Sequence, residues 1–139
     1  MSFGGTVISA TNTAIAGNGW PDLSTDEFRS LRRIAHTFNN DSMAMAVSIA
    51  AEEVQERLES LLVDGNPPQL SEAKILLYKR AVYGLAHAEL LPEFATQDRR
   101  SEGENAATDD PQQSQRFKAQ SNRDIRRLLG KSDNGIASI

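Results

Sequence analysis

The sequence predicts an all-α protein: a small bundle of four to five helices with an extended N-terminal arm and a short C-terminal tail. Three observations carry this. Apolar residues recur at spacings of three and four through most of residues 24–129. Asn39-Asn40, the stretch Asp64-Gly-Asn-Pro-Pro68 and Gly130 cut that pattern into helix-length pieces. The first 21 residues, MSFGGTVISATNTAIAGNGWP, hold no charged side chain, although Asp, Glu, Lys and Arg make up 24% of the chain. That opening has no helical stripe and too little apolar mass for a core of its own. Residues 1–20 therefore read as an arm that is flexible or ordered by a partner, residues 21–131 as the helical domain, and residues 132–139 as the tail.

The elements follow in order. Ser24 is a candidate N-cap, with Glu27 three positions on completing a capping box. Phe28, Leu31, Ala35 and Phe38 then share a face, with Arg29, Arg32, Arg33 and His36 pointing elsewhere. Asn39-Asn40 breaks this helix, and Asp41 caps a longer one. Met43, Val47, Ala50, Val54, Leu58 and Leu61 form its stripe. Its start, MAMAVSIAA, is apolar nearly all round and is expected to sit deep; its second half turns acidic.

Gly65 and the two prolines end that helix. Ser71 opens a third, with Leu77, Ala81, Gly84, Ala88 and Leu91 on one face and Ile75, Tyr78, Val82 and Leu85 on the next. So broad an apolar arc predicts the central helix, and its small residues suit a closely packed neighbour. Residues 92–111 are polar and read as an excursion or a surface helix. The last helix runs from about Gln112 to Leu129, striped by Phe117, Ser121, Ile125 and Leu128, and Gly130 stops it.

Composition bounds the function. A chain of 139 residues without cysteine is one domain lacking disulfides, thiolate metal sites and a cysteine nucleophile. No apolar run approaches the roughly 20 residues of a membrane span, and the N-terminus lacks the basic and apolar segments of a signal peptide. A net charge of -4 argues against a general nucleic-acid coat.

No catalytic set, metal site or cofactor loop emerges, so the expectation is a non-enzyme without cofactors. HExxH, phosphate-loop and GxSxG patterns are absent. His36 reads as solvated, and His87 as packed or making one hydrogen bond. The charges suggest docking instead. Glu52, Glu56 and Glu59 make one helix end acidic, while Arg116, Lys118, Arg123, Arg126, Arg127 and Lys131 make the last helix basic. One copy's acidic end facing the next copy's basic helix steers assembly. Ile136 and Ile139 are candidate anchors for the tail. The alternative is a small helical DNA-binding regulator using the basic helix, against which stands the absence of a tight turn and short recognition helix.

The segment Tyr78-Lys-Arg-Ala-Val-Tyr83, followed by Leu85-Ala-His-Ala-Glu-Leu-Leu91, resembles the tailed-phage head completion and head–tail connector (adaptor) family. The order of elements and the ending Gly135-Ile-Ala-Ser-Ile139 are similar too. The resemblance implies a structural virion protein of the neck, assembled in the host cytoplasm. It implies a homo-oligomeric ring, commonly of 12 copies, that docks on the portal protein and extends the DNA channel. It also implies a platform for the next neck or tail-terminator protein, with packaged DNA passing through unread and no membrane involved. By the same analogy Tyr78, Arg80 and Tyr83 fix the bundle, the final helix and tail meet the portal, and residues 96–111 contact a subunit or the tail side.

Overall fold

The computed structural model describes residues 11–102 and 111–131, with backbone alone for residues 98–102. It is mostly helical. Two short strands, β1 (Ala14–Ile15) and β2 (Leu23–Ser24), pair antiparallel ahead of four helices: α1 (Thr25–Arg32), α2 (Asn40–Arg57), α3 (Glu72–Glu102) and α4 (Pro111–Leu128). The core lies where α2, α4 and α1 pack around α3. Its largest fully buried side chains include Tyr78, Tyr83, Phe28, Met43 and Leu58.

Part of the segment expected to be arm belongs to the body. From Thr13 the chain is held by Thr13 N–H donating to Thr25 Oγ1 at 2.8 Å and by Asn40 Nδ2 donating to Thr13 Oγ1 at 2.9 Å. A tight turn follows. Gly17 N–H donates to Asp22 Oδ1, and Trp20 N–H donates to Gly17 O. The turn delivers Trp20 into the core, where it stacks on Tyr78 with ring centroids 5.5 Å apart. The one tryptophan of the chain supplies the apolar mass that the rest of the segment lacks. Residues 1–10 and the tail 132–139, with Ile136 and Ile139, lie outside the described residues.

Ser24 caps α1 as expected, its Oγ accepting from Glu27 N–H at 3.0 Å. The return half of the capping box is not made. Ser24 N–H donates to the Tyr83 hydroxyl at 3.1 Å, and Glu27 turns to Tyr83 and Lys79. α1 is also shorter than the apolar spacing predicts. Arg33 adopts a left-handed conformation (φ 56°), and Ile34 N–H closes back onto Arg29 O at 2.9 Å. That reversal puts Ile34 in the core and leaves Leu31 59% exposed. Arg29, expected outside, is buried; its guanidinium donates to Ala35 O and Phe38 O and so ties the chain after the bend. Burial lowers the Arg29 pKa, with Asp26 opposing the shift.

The cap of α2 is Asn39, whose side chain accepts from Ser42 N–H at 2.8 Å. Asp41 sits in the first turn instead, where its charge suits the positive helix end. Met43, Val47, Ala50, Val54 and Leu58 form the buried stripe as expected. The apolar start of α2 is not buried all round: Met45 is 65% and Ile49 61% exposed. After α2 a single 3-10 turn (Glu59–Leu61) leads to a hairpin-like turn. Asp64 and Gly65 both take positive φ, and Val63 and Asn66 exchange two backbone hydrogen bonds.

Ser71 caps α3, which then runs straight through Pro92 to Glu102. The first half of the polar stretch is thus helix. Proline lacks the N–H that would bond to Ala88 O. Ser114 Oγ of α4 supplies a donor to that carbonyl at 3.3 Å. Beyond Pro92, Phe94 and Ala95 are buried, and Phe94 packs on Phe38 with centroids 4.2 Å apart. α4 starts with proline at its first position and ends on Gly130 in the left-handed region, both favoured placements. It lies along α3, where Ser121 Oγ donates to Ala81 O at 2.8 Å.

Candidate assembly interface

Three α3 side chains singled out from the sequence tie the body together. Tyr78 is fully buried, stacks on Trp20 and accepts a hydrogen bond from Gln55 Nε2 of α2 at 2.8 Å. Tyr83, also fully buried, accepts from Ser24 N–H and donates to Glu27 Oε1 at 2.6 Å. Burial raises both phenol pKa values, and the Glu27 carboxylate raises that of Tyr83 further. Arg80 reaches the other way. Its Nε and Nη2 each meet a carboxylate oxygen of Asp124 on α4 at 2.9 Å. From one stretch of helix, these three residues hold the N-terminal turn, α1, α2 and α4.

His87 is the fourth fixed point, packed among aromatic rings and hydrogen-bonded. Arg32 Nε donates to its Nδ1 at 3.0 Å. Phe28, Phe94 and Phe117 surround the ring, and the Arg32 guanidinium lies 4.6 Å from the Phe117 ring centre. Burial, helped by the Arg32 charge, holds the His87 pKa down at about 4, so the ring is neutral at pH 7. His36 is exposed. Among the described residues no group of His, Asp or Glu is arranged to hold a metal ion, and no helix is long and apolar enough to cross a membrane. The chain carries no catalytic motif and no cysteine.

The charged residues expected at interfaces lie on the surface in two separate groups. Glu52, Glu56 and Glu59 are exposed and border one shallow depression beside Trp20 and Pro67. On α4, Arg116, Lys118, Arg123 and Arg127 are exposed, as is Lys131 just beyond it, while Arg126 is half-buried. Arg57 at the end of α2 donates to Asn122 Oδ1 of α4 at 2.6 Å. Lys118 is drawn toward Glu89 of α3, 3.8 Å away.

The apolar arc of α2 concealed a further feature. Met45 and Ile49 open into a groove of about 450 Å³ between α2 and α3, floored also by Leu85 and Leu90. Carboxylates line its rim. The signal was present as an apolar arc too wide for one buried stripe, but periodicity alone does not say which flank stays open.

Comparison with known proteins gives a family match. The model described as phage head completion protein (GPL) matches residues 62–139, which is more than half of the chain and spans α3 and α4. No curated protein and no solved structure matched.

Proposed function

The chain belongs to the phage head completion protein family, and we propose that it acts there as a ring-forming head–tail connector. In this reading about 12 copies dock on the portal protein, extend the DNA channel, and offer a platform to the next neck or tail-terminator protein. The observation that carries the reading is the family match over α3 and α4, the two helices that organise the body. Charge supports it. A ring needs two different patches per copy, and the acidic end of α2 and the outer face of α4 are such a pair of opposite sign. Arg123, Arg127 and Lys131 then serve as contacts to a neighbour or to the portal, and DNA passes through without being read.

The decisive experiment is electron microscopy of native particles carrying a labelled copy. Label in a closed ring at the head–tail junction supports the proposal. Label elsewhere, or absence from the particle, overturns it. Titration with duplex DNA addresses the regulator alternative: sequence-selective binding that persists at physiological salt favours that alternative.

A further inference from the structure

We propose that the groove between α2 and α3 receives the end of α1 from a second copy, with Leu31 as the knob and Arg33 at its edge. The inference deepens the ring reading and rests on it. The groove is apolar at its floor, through Met45 and Ile49, and acidic at its rim, through Asp41, Glu53 and Glu93. These three carboxylates make no ion pair among the described residues. Two grooves facing each other would bring like charges together, so the groove calls for a different patch.

Among the described residues, Leu31 is the exposed large apolar residue that fits. It is 59% exposed on α1. Residues 28–40 contain Arg29, Arg32 and Arg33 and not one carboxylate. Among the described residues the other exposed large apolar side chains outside the groove are Val63, next to Asp64, and Leu76, which has both Glu72 and Lys79 within about a turn. The left-handed bend at Arg33 turns the chain away at the end of α1, which leaves Leu31 protruding beside an exposed cation.

The two patches differ from one another, as head-to-tail growth requires. α1 sits on the side of α3 that carries Tyr83 and His87, through Phe28. The groove uses Leu85 and Glu89, which do not share a face with His87, together with Leu90, which lies one turn from it. One copy's knob in the next copy's groove closes a ring or extends a filament, whereas two copies exchanging knobs would stop at a dimer, and a double variant that cross-links only to dimers would overturn the head-to-tail arrangement. One leucine buries little area, so each contact is weak and multimers form only when copies are concentrated.

The chain's lack of cysteine makes the test direct. Leu31→Cys and Ile49→Cys are prepared singly and together, and concentrated protein is treated with a short bismaleimide after thermal melts verify the fold. Wild-type mass is followed by sedimentation in parallel. The double variant is expected to give a ladder of cross-linked multimers, and each single variant no ladder. Arg33→Glu in the double variant is expected to reduce the ladder about tenfold, and Glu53→Arg added to it to restore the ladder. Cross-linked dimers from Ile49→Cys alone would overturn the proposal by seating groove on groove. Multimers in sedimentation with no ladder would give the groove another occupant and leave the ring reading standing. Monomer at every concentration, with no ladder, would overturn both.

Discussion

Arg80 and Asp124 form a two-point ion pair whose members live in different surroundings: the Asp124 side chain is 1% exposed and that of Arg80 48%. The asymmetry makes the two deletions unequal. Arg80→Ala strands a charged carboxylate inside the α3–α4 contact, whereas Asp124→Ala frees a guanidinium that already reaches water. Arg80→Ala is expected to cost about 3 kcal/mol and Asp124→Ala about half of that. Urea denaturation of both single variants and the double variant measures this. Equal losses would mean that the pair acts as an ordinary surface bridge.

Two glycines are expected to respond in opposite directions to alanine. A Cβ at Gly17 would lie 1.9 Å from Trp20 O and 2.6 Å from Pro21 O, both backbone atoms. The turn that delivers Trp20 must then open, at a cost of about 2 kcal/mol, visible as lost near-UV signal from Trp20. At Gly84 the nearest atoms would be Phe117 O at 3.8 Å and an Arg32 nitrogen at 3.9 Å, ordinary contacts. Gly84→Ala is expected to raise the thermal midpoint through helix propensity worth up to ~1 kcal/mol.

His87 predicts an acid sensitivity. Its pKa is about 4 in the folded chain against the ordinary 6.5. Between those values the unfolded chain binds a proton that the folded chain refuses, so stability falls as pH drops through that window. Above 6.5 both states are neutral there and the contribution is constant. The shift corresponds to as much as ~3 kcal/mol. Thermal midpoints of wild type and His87→Gln from pH 7.5 to 4 test this, and the variant is expected to show the shallower slope.

Pro92 and Ser114 are coupled through one carbonyl. Ser114→Ala removes the donor to Ala88 O and is expected to cost about 1 kcal/mol. Pro92→Ala restores a backbone N–H to the same carbonyl, so Ser114→Ala on that background is expected to cost close to nothing. Additive losses would mean that the hydroxyl contributes by packing alone.

Much of this body was legible in the sequence because it depends on local chemistry. Ser24, Ser71 and Gly130 mark helix ends through their own side chains or backbone freedom, and the buried stripe of α2 follows its spacing. The errors arose where distant partners decide. The N-terminal turn looked unsupported because its support is Tyr78, 58 positions beyond Trp20 in sequence. Leu31 kept phase with Phe28, but the bend at Arg33 depends on Arg29 donating to carbonyls further along the chain. Phe94 stood in a polar stretch whose helix continues because α4 provides a hydroxyl where proline offers none. On the surface, charge sign was readable, while the open flank of α2 depended on how far the other helices reach around it.

The stacking of Trp20 on Tyr78 bears on how the family's shared region stands in this chain. That region begins at residue 62, yet the rings and hydroxyls of Tyr78 and Tyr83 are satisfied by Trp20, Ser24, Glu27 and Gln55, all upstream of it. A fragment starting at residue 62 would leave two phenols and much of the α3 surface facing water. The recognisable half is therefore expected not to fold by itself, and a swap between relatives is expected to work only when its upstream lining is carried along.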